Sequence, residues 1–217
     1  MLFDLFLHAP ELAIIWLLVI LIALTVHEFA HAYISYKKGD HTAENMGRLT
    51  LNPLAHIDPF GFLMLLFLGF GWAKPVMFNP YNLKNPKVDA VHIALAGPIS
   101  NLLLAIITGL GARFFIDVAS LPDFNLLIIF LKLLTMVNLS LLFFNLIPIP
   151  PLDGSKLIEA IPDRSSLAPA RNIIMQYGSQ ILMMLVLVSI VSNFNVFGFI
   201  TGPSLFICNS LVGAYCF

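Results

Sequence analysis

Charge is what this sequence lacks. Only 11% of its 217 residues are Asp, Glu, Lys or Arg, while 59% are hydrophobic and the mean hydropathy is +0.92. Soluble domains carry about 25% charged residues, so a soluble fold would have too little charge to coat its surface. The bilayer must be the solvent for most of this chain. The net charge of −1 removes any electrostatic case for nucleic acid as a partner. Cysteine is scarce as well. Cys208 and Cys216 lie together near the C-terminus without a CxxC spacing, and they read as apolar membrane residues that neither staple the fold nor mark a redox compartment. The opening "MLFDLFLHAPEL" holds Asp4 and Glu11 but no Lys or Arg, which the positive n-region of a cleaved signal peptide would need. Internal repeats and low-complexity linkers are missing too, so residues 1–217 are expected to form a single integral-membrane domain.

Long hydrophobic runs are what the sequence has. Residues 12–36, 90–118, 124–147 and 173 to about 200 each exceed the roughly 20 residues that cross hydrocarbon as a helix. A last stretch, 203–217, is shorter and spans only in part. Residues 54–70 are apolar but brief, punctuated by Pro59, Gly61 and Gly69, and follow "GRLTLNP", which alternates like a strand. The expected fold is an all-α polytopic membrane protein of about five or six transmembrane segments. Between its first and second long helices it carries a membrane-associated re-entrant β-hairpin. Lys37, Lys38 and Arg48, then Lys74, Lys84 and Lys87, then Lys156, Arg164 and Arg171 flank the helices on one side, whereas "DVASLPDF" has no Lys or Arg. The positive-inside rule puts those basic connections in the cytoplasm and the N-terminus outside.

One short stretch carries ionisable groups into the apolar sequence. In "LTVHEFAHAY", residues 24–33, His27 and His31 are four apart within a helical run. That spacing sets two side chains about 40° apart around the axis and one turn apart along it, so both imidazoles can bind one ion. Glu28 points roughly 100° away from His27, past a ligand position but within reach of a water beside the ion. HExxH on a helix joins two zinc ligands to a general base. The bland alternative is buried polar residues tying helices together, or a chance pattern. It loses weight inside a span, where ionisable groups are rare and functional by default.

A catalytic zinc takes three protein ligands and leaves a position for water, so a third ligand must come from elsewhere. In "FFNLIPIPPLDGSK", Pro148, Pro150 and Pro151 end the third helix, and the extended stretch closes in a turn at Asp153-Gly154. Asp153 is a candidate ligand; on spacing alone, ordinary Asp-Gly turn chemistry accounts for it equally well. Asn145 is either a helix-end hydrogen bond or a donor to a substrate carbonyl or developing oxyanion. Asn138 reads as an interhelical contact. His56, in "NPLAHIDP", lines the site or caps the re-entrant turn.

At this point the chain resembles the site-2 proteases, a family of intramembrane zinc metalloproteases. "HEFAH" matches that family's helix motif and "NLIPIPPLDG" its second motif; "GRLTLNPLAHIDPFG", "GWAKPV" and "ALAGPISNLLLA" are similar to stretches in bacterial members. The resemblance covers roughly residues 24–157. It implies His27, His31 and Asp153 as ligands of one zinc ion, Glu28 as the base, and Asn145 as a group that holds substrate or the metal-site loop. Gly97 and Asn101 resemble the family's GxxxN motif, with Asn101 bonding substrate or a neighbouring helix. No stretch here is long enough for the PDZ or CBS modules that many relatives carry, so a minimal core enzyme is expected. Its partners would be transmembrane protein substrates and the lipid bilayer, and its place a bacterial cytoplasmic membrane with the active site nearer the cytoplasm. Strand addition along "RLTLN" offers a way to hold an unwound substrate. The competing functions are a membrane metal carrier or a catalytically silent relative that binds membrane helices. Neither gives Glu28 a task.

Overall fold

The computed structural model describes residues 2–68, 71–192 and 196–216. Its helices are α1 (Leu2–His8), α2 (Pro10–Lys37), α3 (Thr42–Asn45), α4 (Pro59–Leu68), α5 (Pro86–Asp117), α6 (Leu126–Asn145), α7 (Ser155–Glu159), α8 (Ala168–Ser192) and α9 (Gly198–Val212). Helices at Pro10–Lys37, Pro86–Asp117, Leu126–Asn145 and Ala168–Ser189 are long and apolar enough to cross a membrane, and Gly198–Val212 is shorter. Among the described residues the expected five or six spans are therefore four by length. α2 opens on Pro10, whose missing N–H has no helical partner at that position in any case, and carries Glu11 in its first turn and Lys37 in its last, as the helix dipole favours.

α2, α5 and α6 pack on one another, and α9 lies against α5 and α6. Small residues let the helices approach. Ala105 and Ala112 of α5 meet Leu139 and Leu142 of α6 and Cys208 and Val212 of α9, while Val19 and Ala23 of α2 meet Leu133 and Leu134. The Thr108 and Thr135 hydroxyls, 2.8 Å apart, join α5 to α6. On the opposite face of α5, Leu103, Ile107, Leu110 and Phe114 are exposed at helical spacing, an apolar stripe of the kind a helix turns to hydrocarbon.

The described residues do not form the expected β-hairpin. Among the described residues no strand forms, and the sole sheet-like contact in this region is an isolated antiparallel bridge between Ile57 and Ala73. Asn52 instead caps a 3-10 turn at Pro53–Ala55 by accepting from the Leu54 N–H, and Asp58 accepts from Gly61 to start α4. Alternation in "RLTLN" was a weak guide because a strand needs a partner for its backbone groups. Here Pro53 and Pro59 turn the chain first into a 3-10 turn, then into a helix. The segment does return to where it began, since Ile57 and Ala73 meet; Gly69 and Phe70 lie outside the described residues.

The cysteines also differ from expectation: Cys208 and Cys216 form a disulfide. It ties the end of α9 to the chain just beyond, where Lys132 donates to Asp123 (2.9 Å) and to the Tyr215 carbonyl (2.8 Å). Phe197, before α9, stacks edge-on against Phe144 near the C-terminal end of α6. α9 thus runs antiparallel to α6, and the chain through α8 leaves from and returns to the C-terminal end of α6.

Candidate metal centre

The site gathers where α2, α5 and the loop after α6 meet. His27, Glu28 and His31 are buried on α2. The loop 146–154 brings up Asp153; its shape is closed by the Gly154 N–H donating to the Asn145 carbonyl at 2.7 Å. His27 Nε2 lies 3.0 Å from His31 Nε2, and Asp153 Oδ2 lies 3.2 Å from the first and 3.3 Å from the second. His27, His31 and Asp153 are the group able to hold a metal ion among the described residues.

The hydrogen bonds behind the site decide which nitrogens carry protons. Leu134's carbonyl only accepts, so Asn138 donates its amide to it at 2.7 Å. The Asn138 carbonyl oxygen then takes a proton from Asn101 Nδ2 at 2.6 Å, leaving Asn101 Oδ1 to accept from His27 Nδ1 at 2.5 Å. His31 Nδ1 donates to the Ile93 carbonyl at 2.7 Å, one residue before the Ala94 carbonyl that Pro98 leaves without a helical N–H. Both histidines therefore hold their proton on Nδ1 and turn a bare Nε2 lone pair inward. Two such lone pairs and a carboxylate oxygen converge with no donor between them; the buried Asp153 Oδ2 has no hydrogen-bond partner. An arrangement of this kind calls for a cation at its centre. Ligand atoms set tetrahedrally 2.0–2.1 Å from zinc lie roughly 3.3 Å from one another, so the residues fit that ion.

Gly97 makes the approach possible. A Cβ at that position would collide with the inner edges of both imidazoles. Glu28 faces the same cavity and its Oε2 accepts from the Val76 N–H at 3.2 Å. The cavity holds about 470 Å³ and is bordered by Glu28, Trp72, Val76, Asn145, Asp153 and Leu182 among others. Asn145 stands at its wall with Nδ2 on the Leu141 carbonyl at 3.0 Å. Asn101, expected to bond either substrate or a neighbouring helix, is fully buried behind His27, joins α5 to α2 and α6, and does not border the cavity. His56 is buried too; its Nε2 donates to the Thr50 carbonyl at 2.9 Å, and it borders a neighbouring apolar cavity rather than this one.

Comparison with known proteins identifies the family. The peptidase family M50 matches residues 115–188, a range that contains Asn145 and Asp153. "Putative zinc metalloprotease YwhC" of Bacillus subtilis is 44% identical over 165 residues, covering 72% of this chain and 73% of its own length. The chain belongs to peptidase family M50, the site-2 protease family. "Putative zinc metalloprotease Rip2" of Mycolicibacterium smegmatis is 32% identical over 175 residues, and this M50 chain spans 64% of its length. "Zinc metalloprotease MJ0392" of Methanocaldococcus jannaschii is 26% identical over 145 residues, 33% of its length. No solved structure matches the chain. The groups that sequence reasoning passed over in this M50 site are backbone atoms, the Ile93 carbonyl and the Val76 N–H, and the side chain of Leu182. The first two are invisible in a residue pattern, because any residue type supplies them.

Proposed function

We propose that this M50 chain is a zinc-dependent endopeptidase that cuts peptide bonds within or near transmembrane segments of membrane-protein substrates. The observation that supports it is the convergence of His27 Nε2, His31 Nε2 and Asp153 Oδ2 beside a buried carboxylate, Glu28, in a cavity among apolar helices. His27, His31 and Asp153 would hold one zinc ion. Bound there, zinc supplies Lewis-acid polarisation of a carbonyl and lowers the pKa of water towards 7. Glu28 takes the proton from the attacking water and returns it to the leaving amine as the C–N bond breaks. The Val76 N–H holds Oε2 in place for both transfers. Asn145 has a second amide N–H beyond the one given to Leu141 and offers it to the substrate carbonyl as negative charge develops.

A helical substrate hides its carbonyls in its own hydrogen bonds and must unwind first. The non-helical stretch 73–78, which borders the cavity and pairs at Ala73 with Ile57, supports an edge for that unwound segment, in place of "RLTLN". The basic residues at the ends of α2 and before α5 support a cytoplasmic placement for the α6 C-terminal end and the site. The Cys208–Cys216 disulfide at the opposite end fits an oxidising outer face. Together these features support a bacterial cytoplasmic membrane as its place, with the N-terminus outside.

The test combines metal analysis of the purified protein with cleavage of membrane-spanning substrates by wild type and Glu28→Gln. The wild type is expected to carry one zinc and to cleave. Glu28→Gln should keep its zinc and lose about 10²- to 10⁴-fold in rate. Absence of zinc, or a variant that cleaves as well as wild type, overturns the reading.

A further inference from the structure

A second cavity, of about 160 Å³, adjoins the catalytic one. It lies between α2, α6 and the chain that leaves and returns around α4. Leu24, Leu141 and Trp72 border both cavities, whereas Ile57, Leu65 and Val137 border only the smaller. Its polar neighbours are few: Asp58 accepts from the Gly61 N–H at 2.8 Å, and His56 donates through Nε2 to the Thr50 carbonyl while its buried Nδ1 has no partner. What it offers a visitor is a carbon surface. An apolar cavity of about 150 Å³ stays dry and takes up a benzene ring, so this one has room for one leucine- or phenylalanine-sized side chain.

Its position relates it to the scissile bond. Leu24 stands three residues before His27 on α2, about 4.5 Å along the axis. The chain 72–76 connects the cavities as well, since Trp72 and Ala73 border both and Val76, which holds Glu28, borders the catalytic one alone. An extended peptide advances about 3.3 Å per residue, so a substrate lying along that stretch would reach the side cavity within roughly three residues of the bond presented to Glu28. We infer that this cavity is a specificity pocket that takes one bulky apolar side chain of the substrate close to the cut. The inference rests on the endopeptidase reading given above. It gives the enzyme a means to choose a position within an apolar segment, because filling a dry pocket with a few methylenes discriminates by about tenfold to a few hundredfold.

The experiment uses the full-length, zinc-loaded protein and a membrane-spanning substrate carrying Ala, Leu or Phe in turn at each of the three positions on either side of the cut. Wild type should cleave with kcat/KM at least about tenfold higher for Leu or Phe than for Ala at one of these positions. Val137→Phe, which fills the pocket from α6, should reduce that preference to about twofold or less. Zinc content and cleavage of the Ala substrate should stay unchanged. Leu65→Phe fills it from α4 and serves if Val137→Phe does not fold. A flat series in wild type overturns the inference, as does a preference that survives in variants that still hold zinc and cleave the Ala substrate. Zinc-loaded wild type that cleaves none of the series removes the endopeptidase reading and this inference with it.

Discussion

Replacing Gly97 by alanine should weaken the metal centre while leaving α5 as stable as before. A Cβ at Gly97 would stand 2.6 Å from His27 Nε2 and against His31 Nε2, where ordinary contacts need roughly 3.5 Å. An imidazole must then shift by about 1 Å, yet both rings are pinned on the far side, His27 by Asn101 and His31 by the Ile93 carbonyl. Overpacking of this kind costs about 1–3 kcal/mol. Expressed in the zinc-bound state, at 1.4 kcal/mol per factor of ten, it lowers zinc affinity by about 5- to 150-fold. Against this, alanine is favoured over glycine inside a helix by up to about 1 kcal/mol. Gly111→Ala separates the two effects, because it lies on the same helix and a Cβ there meets nothing within 4 Å. Zinc affinity would be read by chelator competition and thermal unfolding followed with and without added zinc. Gly111→Ala should bind zinc as wild type does. A Gly97→Ala protein whose zinc affinity stays within about twofold of wild type would refute the reasoning.

Three more outcomes follow from the same geometry. Asn101→Ala removes the acceptor that fixes the His27 proton on Nδ1 and should cost about 10- to 100-fold in metal affinity, whereas Asn101→Asp keeps an acceptor and should recover part of it in the same titration. Asp40 is fully buried in the loop after α2 and accepts from Ser35, Thr42, Asn79 and Asn82. Burial works against its charge, but these hydrogen bonds pull its pKa down to about 2. Because the folded value is the lower one, the stabilisation of at most about 2 kcal/mol is present above the unfolded pKa near 4 and fades as pH falls towards 2. Thermal melts in detergent between pH 5 and 2.5 should show that loss, and Asp40→Asn should flatten it. Finally, Thr108→Val and Thr135→Val should each destabilise by about 1 kcal/mol, and the double variant by less than their sum, as measured by a double-mutant cycle on the melting temperature.

Much of the candidate site was legible because its chemistry is local. His27, Glu28 and His31 sit on one helix, and an i, i+4 spacing alone puts two ring nitrogens on one face. Asp153 was legible only as an option, since spacing on a proline-rich loop does not reveal what the loop reaches. The strand reading of residues 49–68 failed for the opposite reason. Alternation of apolar residues describes faces, while a strand exists only if another backbone accepts its hydrogen bonds, and here capping by Asn52 and Asp58 supplies the local partners instead.

The sequence by itself determined the solvent, the long helices and the two-histidine motif, because hydrophobicity and helical periodicity act within a single segment. Only the tertiary structure decided that Asp153 meets the two histidines, that Asn101 faces His27 and not the cavity, that Cys208 meets Cys216, and that an apolar pocket opens beside the cavity that Glu28 borders. Each of these is a meeting of atoms far apart in the chain or of backbone groups common to all residues. Such meetings are set by how α2, α5, α6 and the loops between them pack, and no spacing along the sequence encodes them.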